Sequence, residues 1–138
     1  MSDYISIFKG GKINQDQEEM INGVMNCMDK FAICFENEDI AGMDECCHFP
    51  HYLISGNEVI CWREKGQITK KFFQDLKSQG FAKTIVDYRE VILVCENKVH
   101  LKYGYSRVAI DGTIMSRHNN VWILTYLDKK WGIQFRSY

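Results

Sequence analysis

Residues able to do chemistry stand two apart in the second half of the chain. They are Tyr88 and Glu90, then Tyr103, Tyr105 and Arg107, then Ser116, His118, Asn120 and Trp122. In extended backbone that spacing puts each set on one face of a strand. An imidazole such as His118 titrates near working pH and gives or takes a proton. Glu90 is a candidate general base, provided an apolar site raises its pKa. The Tyr105 hydroxyl can orient His118 or donate to an oxyanion, and Arg107 can hold a carboxylate or phosphate through two N–H groups. This makes His118, Glu90 and Tyr105 the catalytic candidates. Tyr88, Tyr103, Arg107, Asn120, Trp122, His51 and Trp62 are the substrate-binding candidates. Structural uses stay open beside the chemical ones: Glu90 can pair with Arg107, His118 can be a hydrogen-bonded wall residue, and the tyrosines can be packing groups. For His51, which follows Pro50 at the start of a strand, a place at a cavity mouth and a hydrogen bond to the loop near Asp44 or Glu45 are equally open.

The turns say how these sets face one another. Glu96-Asn97, Asp111-Gly112 and Asp128-Lys129 separate four strand-like runs, about 82–95, 98–110, 113–127 and 130–138. Asp-Gly is a strong hairpin signal. Counting outward from two-residue turns pairs Arg107 with Ser116, Tyr105 with His118, Tyr103 with Asn120 and Leu101 with Trp122. The same count pairs Val94 with Val99, Ile92 with Leu101, Glu90 with Tyr103 and Tyr88 with Tyr105. From the last turn it pairs Tyr126 with Trp131, Leu124 with Ile133, Trp122 with Phe135 and Asn120 with Ser137. One face then has an apolar end (Ile92, Val94, Val99, Leu101, Leu124, Ile133 and Phe135) and an aromatic-polar end holding the candidates. A face that changes in this way suits a ligand cavity. The opposite face is mostly solvated, with Val91, Leu93, Val121 and Ile123 as an apolar centre. It predicts a homodimer through that face.

Upstream, apolar residues recur at three- and four-residue steps through Met20, Val24, Cys27 or Met28, Phe31 and Phe35. They predict a helix over 15–37, capped by Asn14 with Gln17. A short helix over Ile40–Cys47 follows a cap at Asp39 and ends at Pro50. A hairpin around Ser55-Gly56-Asn57 comes next. A third helix then covers Thr69–Gln79 with Phe72, Phe73 and Leu76 on its apolar side, and Gly80 stands beyond its end. Helices followed by a run of strands indicate α+β, with three helices packed on a curved, mainly antiparallel sheet. Residues 1–13 read as a tail and 14–138 as one domain.

The 138 residues suit a single core, and 46% are hydrophobic. No apolar run reaches the ~18 residues of a membrane span, and no secretory leader pattern opens the chain, so a cytoplasmic protein without a membrane is expected. The net charge of −1 argues against nucleic acid. Yet residues 1–50 carry 3 basic and 10 acidic side chains, and residues 51–138 carry 14 and 8. Either acidic helices lie on a basic sheet, or the second half meets an anionic ligand or partner. The six cysteines include no C-x-x-C pair, and Cys27, Cys34, Cys61 and Cys95 read as buried thiols. Cys46, Cys47, His48 and His51 match no common zinc spacing, so no metal and no other cofactor is expected. Nucleotide-binding, serine-hydrolase and zincin motifs are absent.

Three segments resemble the nuclear-transport-factor-2-like superfamily, also described as cystatin-like α+β or SnoaL-like. They are Asn37-Glu38-Asp39-Ile40; His48-Phe49-Pro50-His51 with the Ser55-Gly56-Asn57 hairpin and Trp62; and Asp111-Gly112 through Lys130-Trp131-Gly132-Ile133-Gln134 to Arg136-Ser137-Tyr138. The resemblance spans about 14–138 and is nearest to bacterial members of unassigned activity. It implies a cone in which a curved sheet wraps a cavity closed by the first helix. Members include ketosteroid isomerases, dehydratases, polyketide cyclases, dioxygenase small subunits and carriers, so function does not follow from the fold. The isomerases use a tyrosine on the first helix and two pocket aspartates. Here the helix offers Phe31 and Phe35, and the sheet offers Glu90 and His118. Some dehydratases use pocket histidines with an aspartate, and His51 and His118 are the residues available for that. Three readings stand: a small-molecule-binding protein, a cofactor-free isomerase, dehydratase or cyclase, and a non-catalytic dimeric structural protein.

Overall fold

A computed structural model describes residues 16–138. The expected tail (1–13) and the expected cap at Asn14 lie outside the described residues. The elements run α1 (Gln17–Glu36), α2 (Ile40–Glu45), β1 (Cys47–Ser55), β2 (Glu58–Trp62), α3 (Lys70–Ser78), β3 (Phe81–Val94), β4 (Lys98–Ala109), β5 (Ile114–Leu127) and β6 (Lys130–Ser137). The six strands form one curved, open sheet in the order β2-β1-β6-β5-β4-β3, antiparallel except where β1 runs parallel to β6. The three helices pack on it, giving the α+β class. Among the described residues no helix is long and apolar enough to cross a membrane.

The N-terminus of α1 is capped by Asp16, whose carboxylate accepts from the Glu19 amide at 3.1 Å. Val24, Met28, Phe31 and Cys34 follow at helical spacing and are buried. They lie on Val99, Leu101, Leu124 and Ile133, all fully buried. Thr69 occupies the N-cap position of α3 without a side-chain cap bond, and Gly80 follows the helix at φ +95°.

Several expectations are corrected. Helix α2 stops at Glu45 because Cys47 already pairs with Ile133 of β6. Pro50 therefore lies inside β1 and does not merely end a helix. It fits there because the β1–β6 ladder is interrupted between Cys47 and Tyr52, so no amide is required of it. All six thiols are free, but Cys61 is exposed, since β2 is an edge strand with little covering it.

Bulges account for the register corrections. The β4–β5 ladder carries all four expected pairs, including Tyr105 with His118. It does so through two compensating departures. Ala109 and Thr113 flank a loop of Ile110, Asp111 and Gly112, and an extra residue at Met115 restores the count. On β3 the first irregularity lies between Val91 and Leu93, so Val91, not Ile92, meets Leu101. From there each side chain is on the opposite face from the one counted. Val91 packs against the core, while Ile92 is exposed. Arg89 takes the inward place opposite Tyr103, and Glu90 faces outward opposite Lys102. In that same register Tyr88 meets Gly104, and a second bulge between Val86 and Tyr88 then returns Val86 and Thr84 to the inner face. A Cβ on Gly104 would fall among the Tyr88 ring atoms, so only glycine admits that ring on the outer face. On β6 a bulge turns Phe135 outward, opposite Ile123, and brings Arg136 inward opposite Trp122.

Candidate functional site

The concave face of the sheet, α1 and α3 enclose a cavity of about 700 Å³. Its outer wall is an aromatic collar. The Phe35 ring lies 5.2 Å from Phe73, 6.1 Å from Phe72 and 6.2 Å from Phe81, each edge to face. Deeper in, Trp122 stands edge-on to Phe31 at 5.7 Å and to Tyr103 at 4.7 Å. Such pairs fix ring positions better than aliphatic packing does.

Polar groups cluster on this wall. His118 stacks on Tyr105 at 4.8 Å, and its Nε2 lies 2.9 Å from the Ser116 hydroxyl. Burial, then the neighbouring Arg107, lowers the His118 pKa, so the imidazole is neutral at pH 7. Burial, together with the adjacent Tyr138, raises the Tyr105 pKa well above the usual phenol range, and burial also raises that of Tyr103. Both are neutral hydrogen-bonding phenols.

Of the expected site residues, His118, Tyr105, Tyr103, Arg107, Trp122 and Trp62 all line this cavity. Four do not. Glu90 and Tyr88 are turned away by the β3 bulge between Val91 and Leu93; Tyr88 donates to Asn119 at 2.7 Å on the outer face. Asn120 is buried, with its amide directed at the Tyr103 carbonyl at 3.4 Å. His51 is fully buried behind the wall, where it stacks on Trp62 at 5.6 Å. It bonds neither Asp44 nor Glu45. Its Nδ1–H donates to the Ile133 carbonyl at 2.9 Å, and its Nε2 accepts from Arg136 Nε at 3.0 Å. That tautomer follows because a guanidinium can only donate.

Arg136 and Tyr138 are wall residues that strand counting does not find. A bulge leaves no signature in the alternation of side chains, so the count places Phe135 where Arg136 stands. Arg136 is 7% exposed. Its guanidinium carbon lies 5.6 Å from the ring centres of both Trp62 and Trp122. The place expected for Glu90 is held by Arg89, which reaches Asp29 of α1 at 2.6 Å and lies 5.7 Å over the Tyr103 ring. The acidic wall residues are Glu36 and Glu38, at the C-terminal end of α1, and Lys77 pairs with Glu38 at 2.6 Å. The wall thus offers neutral donors and acceptors, cations and ring faces, and among the described residues no carboxylate bonds or pairs with His118.

No family model and no curated protein matches the chain. Solved structures do. A nuclear-transport-factor-2-like protein with a cystatin-like fold from Novosphingobium aromaticivorans superposes with a TM-score of 0.67 at 12% identity, over 88% of this chain and 81% of that one. The fold is cystatin-like, of the nuclear-transport-factor-2 type. The same cystatin-like fold occurs in a protein of unknown function from Nostoc punctiforme, at a TM-score of 0.64 and 12% identity over 83% of this chain and 86% of that one. A nuclear-transport-factor-2-like protein from Cytophaga hutchinsonii gives 0.59 at 14% identity over 89% and 97%. At these identities the likeness is one of fold, and the chemistry of this nuclear-transport-factor-2-like cone must be argued from its own wall.

Proposed function

We propose that this protein binds a small, largely apolar, planar molecule in the cone cavity. The observation that carries the reading is the cavity itself: about 700 Å³, lined by Phe35, Phe72, Phe73 and Phe81 together with Tyr103, Tyr105 and His118. That volume lies within the ~300–1,000 Å³ typical of small-molecule sites. Binding is favoured over acid-base catalysis because Glu90, the expected base, faces away from the cavity. The test is thermal unfolding in the presence of 2-naphthamide, a neutral planar aromatic. A saturable rise in melting temperature is expected, because a ligand bound only by the folded state stabilises it by RT ln(1 + [L]/Kd). Val86→Trp, which adds bulk at the cavity wall, should weaken that rise. No rise at millimolar probe overturns the reading.

The second part of this reading is a homodimer through the outer sheet face. Register aligns Leu93, His100, Ile123 and Phe135 in one row across four strands, and Leu93 is 50% exposed. Val91, expected in that patch, belongs to the core instead. Sedimentation equilibrium should give twice the chain mass, and Leu93→Glu with Ile123→Glu should give a folded monomer. A wild-type monomer at micromolar concentration contradicts this part alone.

A further inference from the structure

The deep wall holds a cation that the protein does not neutralise. Arg136 Nε donates to His51, and Nη1 donates to the Tyr138 hydroxyl at 3.1 Å. The His51 imidazole is uncharged, because burial and Arg136 itself push its pKa down to about 4. Among the described residues no carboxylate pairs with Arg136, and the protein gives Nη2 no partner. A buried guanidinium without a counter-ion is costly to desolvate, and the tryptophan faces offset that cost only in part. The Trp122 ring that the guanidinium carbon faces at 5.6 Å also carries a buried indole N–H with no hydrogen-bond partner. Arg107 adds another guanidinium to the same wall, also without an ion pair among the described residues. His51 and Tyr138 engage Nε and Nη1, which leaves the two N–H groups of Nη2 for an anion.

We propose that the occupant of the cavity is an aromatic or polycyclic carboxylate, and that Arg136 receives its carboxylate through Nη2, against the Trp122 ring. This rests on the cavity being a binding site, and names the class of molecule it takes. The aromatic collar accepts the ring system, and the deep end supplies the charge. A carboxylate, with its charge on two coplanar oxygens, suits the planar guanidinium flanked by tryptophan rings.

The test is calorimetric titration of the full chain with 2-naphthoate and with its neutral near-isostere 2-naphthamide. Wild type should bind naphthoate at least about ten-fold tighter, the size of one charge-assisted contact. Arg136→Met should erase that preference, leaving the affinities for the two probes equal within about two-fold. Arg136→Lys keeps the charge and loses the fork, and should cut the preference by at least about three-fold; it serves if the methionine variant does not fold. Equal affinities for the two probes in wild type overturn the carboxylate and leave the cavity reading intact. Failure of both probes to bind overturns both. A preference that survives in Arg136→Met and Arg136→Lys overturns the assignment to Arg136.

Discussion

Replacing His51 with alanine should lower the unfolding free energy at pH 7 by about 3 kcal/mol, a large loss for a polar residue. The ring is fully buried, stacks on Trp62 and bonds at both nitrogens. Its removal leaves a void and strips Arg136 Nε of its acceptor. The same residue gives stability a pH dependence of known sign. Folded His51 has a pKa of about 4 against an ordinary 6.5. Above pH 6.5 neither the folded nor the unfolded form carries the proton, so His51 contributes no slope. As pH falls from 6.5 to 4 the unfolded chain takes up a proton that the folded chain refuses. Unfolding free energy then drops by about 1.4 kcal/mol per pH unit, about 3 kcal/mol in all, and levels off below pH 4. Burial also lowers the pKa values of His100 and His118, which add slope equally to both proteins. The difference between wild type and His51→Ala in urea midpoints should therefore shrink steadily from pH 6.5 to pH 4. A difference that stays constant over that window contradicts the assigned role.

Trp122→Ala should be at least as damaging, at about 3–5 kcal/mol. The indole is the hinge between core and cavity. It meets Phe31 of α1, Tyr103 of β4 and the Arg136 guanidinium of β6. Deleting it removes the ring that holds the closing helix to the deep wall, so binding of 2-naphthamide should be lost together with stability. Trp62 is the internal control. It lies at the end of the edge strand β2 and is only half-buried, so Trp62→Ala should cost about 1–2 kcal/mol. Chemical denaturation measures both. Equal losses for the two variants would mean that Trp122 is not the keystone of the wall.

The fold was legible because its signals are local. The α1 stripe of Val24, Met28 and Phe31, the Gly80 stop and the three turns each follow from side-chain periodicity or backbone freedom. The β1–β6 pairing joins segments about 80 residues apart, and no local pattern encodes it. The site was partly legible for a related reason. Where a ladder keeps or recovers its count, as from Arg107 to Leu101 on β4, alternation correctly groups Tyr103, Tyr105, Arg107 and His118. Where one extra residue slips in, every side chain beyond it changes face. The bulge at Ile92 exchanged Glu90 for Arg89, and the bulge at Gln134 exchanged Phe135 for Arg136. Both exchanges put a cation where counting expects a carboxylate or a phenyl ring. The chemistry of the wall therefore moved from proton abstraction toward anion holding.

One hollow gathers Phe73, Tyr105 and Trp122, while Tyr88 and Glu90 look the other way. Isotope-filtered NMR on the labelled chain with unlabelled 2-naphthamide tests it most directly. Cross-peaks from the probe to the Phe73, Tyr105 and Trp122 rings, with none to Tyr88 or Glu90, are expected. Contacts to Tyr88 or Glu90, or to residues of both sheet faces at once, would contradict it.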